Sequence, residues 1–107
     1  MNQNNNLAML SLAARAGKVV SGGFMTEKAV QEGSAYLVII AEDASANTKK
    51  KFINKCKYYN VPCVICETMD RLGHMIGKES RTSVAVTEQH FAEQLIKKLE
   101  VKKDLEV

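Results

Sequence analysis

Tryptophan is absent from this chain, proline occurs once, glycine six times and cysteine three times in 107 residues. So little glycine and proline excludes a collagen-like or low-complexity chain, and three cysteines are too few for a disulfide-stapled mini-protein. Their odd number fits a reducing compartment in which Cys56, Cys63 and Cys66 are thiols, so a cytoplasmic protein is expected. Long apolar runs are missing too. The longest, Ala35 to Ala41, has seven residues, whereas a membrane-spanning helix needs about 20. The opening Met1-Asn2-Gln3-Asn4-Asn5-Asn6 has neither the cationic start nor the apolar stretch of a secretory signal.

What is present is an ordinary globular composition, 46% hydrophobic and 25% charged, which excludes whole-chain disorder. No Pro/Gly/Ser linker divides the chain, so a single domain over residues 1–107 is expected, with a tail that frays from about residue 101. The formal charge is +3 and unevenly spread. Residues 1–66 hold eight Lys or Arg against four Asp or Glu, while residues 67–107 hold seven against eight. The basic part of the chain is therefore the part suited to a polyanion.

Hydrophobic periodicity and turn residues divide the chain into alternating helices and strands. Asn4 to Asn6 can cap a helix from Leu7 to Ala16 that Gly17 stops. Val19-Val20 reads as a short strand, and Ser21-Gly22-Gly23 leads into a helix from Phe24 to Glu32. Tyr36 to Ala41 is continuously apolar, the signature of a central strand covered on both faces. A helix from Asn47 to Tyr59 places Phe52, Ile53, Cys56 and Tyr59 on one face and lysines on the others. Pro62 to Cys66 is a second full strand. Thr68 caps a short helix carrying Leu72 and Met75-Ile76, and Gly77 to Arg81 is a polar loop. Val84 to Val86 is a strand, and Glu88 to Glu100 is an amphipathic helix. This alternation specifies an α/β layered domain.

Several segments carry residues that chemistry uses. Two adjacent glycines at a helix start let another backbone come close, with first-turn N–H groups facing outward and Lys28 about one turn further in. The same residues also fit a plain strand-to-helix turn with a solvated lysine. Lys49, Lys50, Lys51, Lys55 and Lys57 crowd nine residues, with no acid between Asp43 and Glu67. Such a face either binds phosphates or is simply solvated.

Cys63 and Cys66 have the spacing of a redox or zinc pair, but a strand turns residues three apart to opposite faces, and zinc needs about four ligands. Buried thiols are expected instead, with no metal and no cofactor. His74 and His90 lack the neighbours of a triad. There is no Walker loop and no dinucleotide fingerprint. Nothing demands catalysis, so no enzyme is expected.

The ordered set Gly22-Gly23, Lys28-Ala29-Val30, Gly33, Leu37 to Asp43, Val61-Pro62, Leu72-Gly73, Gly77 and Val84 to Val86 resembles one family over about residues 7 to 100. This is the large-subunit ribosomal protein seven-Ae and thirty-e family of kink-turn RNA binders, in its short bacterial branch. The resemblance implies a three-layer α-β-α sandwich around a mixed four-stranded sheet. It implies an RNA-binding site in two pieces: Gly22, Gly23, Phe24, Met25 and Lys28 in the glycine loop, and Lys78, Glu79, Ser80 and Arg81 in the later loop. Glu42 and Asp43 match the acidic pair that ends the family's central strand, and are expected to hold the neighbouring loop. The implied partner is a structured RNA, ribosomal or regulatory, with the ribosome as a possible setting.

Phe24 and Met25 stand where kink-turn binders typically have Asn and Glu, whose polar ends read sheared G·A pairs. Glu32 stands where a basic residue is common, and the second loop is more polar and shorter than usual. Two functions are compatible with these departures. One is RNA binding by backbone, Lys28 and stacking on Phe24. The other is a protein interaction module on the same fold that has lost specific readout.

Overall fold

A computed structural model describes residues 7–99 of the chain. The Asn4–Asn6 cap and the tail from residue 101 lie outside the described residues. Nine elements alternate along the chain: α1 Ala8–Arg15, β1 Val19–Ser21, α2 Gly23–Glu32, β2 Leu37–Ile40, α3 Ala46–Tyr59, β3 Cys63–Ile65, α4 Met69–Met75, β4 Ser83–Val86 and α5 Gln89–Leu99. Every predicted element is present, with ends shifted by a residue or two, the ordinary uncertainty of fraying termini.

The strands form one mixed sheet in the order β1-β4-β2-β3. β4 runs antiparallel to both β1 and β2, whereas β3 pairs in parallel with β2. The apolar run of β2 is central, and Leu37, Val38, Ile39 and Ile40 are all fully buried. Successive strand residues face opposite sides, so both sides of β2 must be covered. They are. α2 and α3 pack together against the sheet on one side, and α1, α4 and α5 form the other layer. Burying each such Leu or Ile is worth roughly 1.5–3 kcal/mol, so the sandwich is held chiefly by this strip and its neighbours Val84 and Val86.

Turn chemistry sets the element ends. Ser45 and Thr68 accept hydrogen bonds from the first-turn N–H groups of Thr48 and Arg71, capping α3 and α4. Gly33 (φ +80°) and Asn60 (φ +63°) take the left-handed conformation that closes α2 and α3. α1 differs from expectation at its start: Leu7 holds the N-cap position and makes no side-chain cap.

One consequence of this topology governs the rest. β1 and β2 are both antiparallel to β4, and β3 is parallel to β2. The C-terminal ends of β1, β2 and β3 and the start of β4 therefore lie at one end of the sheet. Backbone hydrogen bonds lace that end together: Gly22 N–H to the Ser83 carbonyl (2.9 Å), Ala41 to Thr82 (2.9 Å) and Glu42 to Glu67 (2.7 Å).

Candidate nucleic-acid interface

The glycine turn sits at this laced end. Gly22 has φ +91°, a conformation side chains rarely adopt. Its carbonyl accepts the Thr26 N–H and starts α2. α3, α4 and α5 each have a side-chain oxygen on a first-turn N–H, Glu88 serving α5 through Phe91, but α2 starts on a glycine with no such group. The positive end of that helix is thus left uncovered by its own cap.

A Cβ built on Gly22 or Gly23 would meet nothing within 4 Å, so the space before the turn is open. Phe24 is 75% exposed and Met25 43% exposed. Thr26, by contrast, is fully buried, as is Ser83, whose carbonyl takes the Gly22 N–H. The hydroxyls of both lack a hydrogen-bond partner. Lys28 lies on the exposed side of α2 and reaches Glu32 at only 3.9 Å, a loose pair of half-exposed groups.

The second piece, Lys78 to Arg81, stands beside the first and is built differently. Gly73 of α4 permits it: a Cβ there would overlap the Glu79 carbonyl group. The Lys78 N–H donates to the Gly73 carbonyl (2.8 Å), the Arg81 N–H donates to Met69 (3.1 Å), and the Ser80 hydroxyl donates to Asp70. The Arg81 guanidinium turns inward. Its Nε donates to the Ser21 hydroxyl (3.0 Å), and its Nη1 donates to the carbonyls of Ser80 (2.9 Å) and Glu79 (3.3 Å). Arg81 therefore ties the loop to the residue just before the glycine turn. The sequence placed Arg81 among ligand-contacting residues; its donors are instead largely engaged in joining the two pieces. Lys78 and Glu79 remain exposed.

The acidic pair also has a visible task in part. Asp43 Oδ1 accepts the first N–H of α4, from Met69, at 2.9 Å. Buried Glu67, in left-handed backbone (φ +63°), binds Arg71 Nε at 2.7 Å. These bonds fix the start of α4, and with it Gly73 and the loop.

Sequence reasoning did not foresee how the lysine cluster divides. Glu27 of α2 reaches across to Lys55 at 3.0 Å and Lys51 at 3.3 Å. Hydrogen bonds from Lys55 and then Lys51 hold its carboxyl below the usual carboxylate range. Lys49, Lys50 and Lys57 have no ion pair within 4.0 Å among the described residues.

The cysteine reading is corrected in one respect. Cys63 and Cys66 are not both in the strand, which ends at Ile65, and both are buried. The thiol neighbour of Cys63 is Cys56, and a hydrogen bond to it together with burial pushes the Cys63 thiol up. Burial and the nearby Glu67 and Glu42 push Cys66 up to about 11. Thiols held protonated in this way are unreactive. Among the described residues, no three His, Cys, Asp or Glu side chains gather as a metal site, and no helix is long and apolar enough to cross a membrane.

The chain is similar to proteins whose names carry information. It is 50% identical over 92 residues to the RNA-binding protein YlxQ of Bacillus subtilis, covering 86% of this chain and 92% of that one. Large ribosomal subunit protein eL8 of Thermoplasma volcanium is 29% identical over 94 residues, 87% of this chain and 78% of its own. Among solved structures, a protein of unknown function from Bacillus halodurans superposes with a TM-score of 0.85 at 37% identity, covering 89% of this chain and 96% of that one. A 15.5kD RNA binding protein of Giardia lamblia shares the fold, with a TM-score of 0.78 at 22% identity over 88% and 83% of the two chains. The model of the ribosomal protein L7Ae/L30e/S12e/Gadd45 family matches residues 5–96. With that match spanning nearly all of the sandwich and both loops at its laced end, the chain belongs to the ribosomal protein L7Ae/L30e/S12e/Gadd45 family.

Proposed function

We propose that this protein is a non-enzymatic RNA-binding protein of the ribosomal-protein type, which takes a kinked or looped structured RNA at the laced end of the sheet. The observation that carries this reading is the open glycine corner: nothing lies within 4 Å of a Cβ at Gly22 or Gly23, and Phe24 stands 75% exposed beside it. With half-exposed Met25, Phe24 puts an apolar surface beside the corner, where the ring is free to stack on a base. The names of relatives that bind RNA support the same reading.

The mechanism follows from the residues. A bent RNA strand approaches the side-chain-free turn closely enough for the first-turn N–H groups of α2 to meet base edges or phosphate. Phe24 stacks on an unpaired base, worth about 1–3 kcal/mol. Lys28 supplies charge to the backbone. Met25 and Phe24 cannot hydrogen-bond as Asn and Glu would, so recognition leans on shape more than on the sheared G·A edges. Lys78 to Arg81 form a second wall, with Lys78 as its free cation.

The test is a titration of a kink-turn RNA and a version with its G·A pairs disrupted. The parent binds both, with weakened preference, and Lys28→Ala and Gly23→Val lose affinity for both. Gly23 has an ordinary φ and open space, so the valine variant stays folded. Folded variants that bind like the parent place the site elsewhere. A parent that purifies free of nucleic acid and binds neither RNA favours the protein interaction module.

A further inference from the structure

The three lysines of α3 that have no ion pair among the described residues share more than charge. Lys49, Lys50 and Lys57, with Ala46, Ile53 and Ile65, line an open groove of about 530 Å³ between α3 and the outer edge strand β3. No acidic residue lines it. Positions 46, 49, 50, 53 and 57 form one stripe of a 3.6-residue helix. Glu27 pairs with Lys51 and Lys55 of the other stripe, on the side facing α2, and offsets one of their two charges. The like charges of the groove side are left to repel one another and raise the local potential.

α3 starts just after the C-terminal end of β2, the same sheet end as Gly22, and β1 and β3 are the two edges of the sheet, so Lys49 and Lys50 stand at the corner's end of the domain, across the width of the sheet from it, and Lys57 lies down the side. Eight residues at 1.5 Å each separate Lys49 from Lys57 by about 12 Å along the helix, the axial span of roughly three nucleotides on one strand. The floor is aliphatic and has no aromatic ring. Single-stranded bases need such rings to stack on. The occupant that fits is therefore one that offers phosphates and keeps its bases to itself.

We infer that Lys49, Lys50 and Lys57 form a second phosphate track, on which a duplex arm of the RNA held at the glycine corner runs down α3. The inference rests on the RNA reading of that corner and assigns it a larger footprint. The corner selects the bend, and the track reads only the backbone of the arm beside it. It adds affinity and salt dependence without adding sequence preference.

The experiment measures affinity for a kink-turn RNA with two paired arms, from about 50 to about 200 mM KCl, for four proteins: the parent, the triple variant Lys49→Gln/Lys50→Gln/Lys57→Gln, the control Lys97→Gln/Lys98→Gln on α5, and Gly23→Val. Loss of three phosphate contacts to a duplex lowers the slope of log affinity against log salt by about 2.7, so across this fourfold range the parent weakens roughly fortyfold more than the triple variant. The triple variant keeps the parent's ratio of affinities for intact and G·A-disrupted RNA. The control, on the opposite layer, keeps the parent's slope, and Gly23→Val loses affinity at unchanged slope. A triple variant with the parent's slope, or a control that loses as much slope per lysine, overturns the track. A triple variant that loses slope while Gly23→Val binds normally keeps the lysine contact but refutes the glycine corner. A parent that binds no RNA refutes both.

Discussion

The two halves of the candidate site are held in opposite ways. The glycine turn is fixed chiefly by backbone: a positive φ at Gly22, its N–H on the Ser83 carbonyl and its own carbonyl on the N–H of buried Thr26. Its side chains, Phe24, Met25 and Lys28, are left to the solvent. The 78–81 loop adds side chains to two backbone bonds: Arg81 to Ser21 and two carbonyls, Ser80 to Asp70, and a seat on side-chain-free Gly73. The side chains of Ser80 and Arg81 are already engaged. The difference separates presentation from positioning. The first half presents groups to a ligand, and the second is a strut that sets the distance between the walls.

The largest effect that would sharpen this contrast is Gly73→Ala. The added methyl group overlaps the Glu79 carbonyl, so the loop must move or α4 must bend. Overpacking of this kind costs about 2–3 kcal/mol, expected as a Tm lower by roughly 10–20 °C. A variant as stable as the parent breaks the claim that the loop is seated on α4. Next comes Phe24→Ala. It leaves denaturation unchanged, because the ring is exposed, and weakens RNA binding by roughly five- to 150-fold through lost stacking. If stability falls instead and binding holds, the ring is structural and the division of roles fails.

Arg81→Ala removes the tie to Ser21 and the two carbonyl contacts. The expected loss is about 1–2 kcal/mol, with faster amide exchange at Lys78 and Arg81 and little change at Phe24. Arg81→Lys recovers only part, since an ammonium cannot span the three acceptors as a planar fork does. The smallest effect concerns Glu27. Its carboxyl pKa is lowered on folding, so its contribution is present above the unfolded value near pH 4.3 and is lost as pH falls through the lower folded value. A surface pair of this sort is worth at most about 1 kcal/mol. Comparing Glu27→Gln with the parent by denaturation at neutral pH and at about pH 3 should show a small difference that closes on acidification. A difference that grows there contradicts the pairing.

Much of this fold is legible in the sequence because its signals are local. The unbroken apolar run of β2, the Gly33 stop and the Thr68 cap each act within a few residues, and the strand-helix alternation then leaves few arrangements. The glycine turn is legible for the same reason. What is not legible depends on the tertiary register. Glu27 and Lys55 are 28 positions apart, and only the packing of α2 on α3 brings them together. Arg81 and Ser21 meet across the sheet end, 60 positions apart. An exposed-looking arginine in a polar loop therefore reads as a ligand contact, though most of its donors are bound inside the molecule. Cys63 follows the same rule. Its spacing to Cys66 suggests a pair, while its neighbour in space is Cys56.

The claim that the laced sheet end receives RNA is tested most directly by mapping amide shifts of the labelled protein during titration with a kink-turn RNA. The account predicts that the largest changes fall on Ser21 to Lys28 and Lys78 to Arg81, with smaller ones along the groove side of α3. Changes concentrated on α1 and α5, with the glycine turn silent, would contradict it.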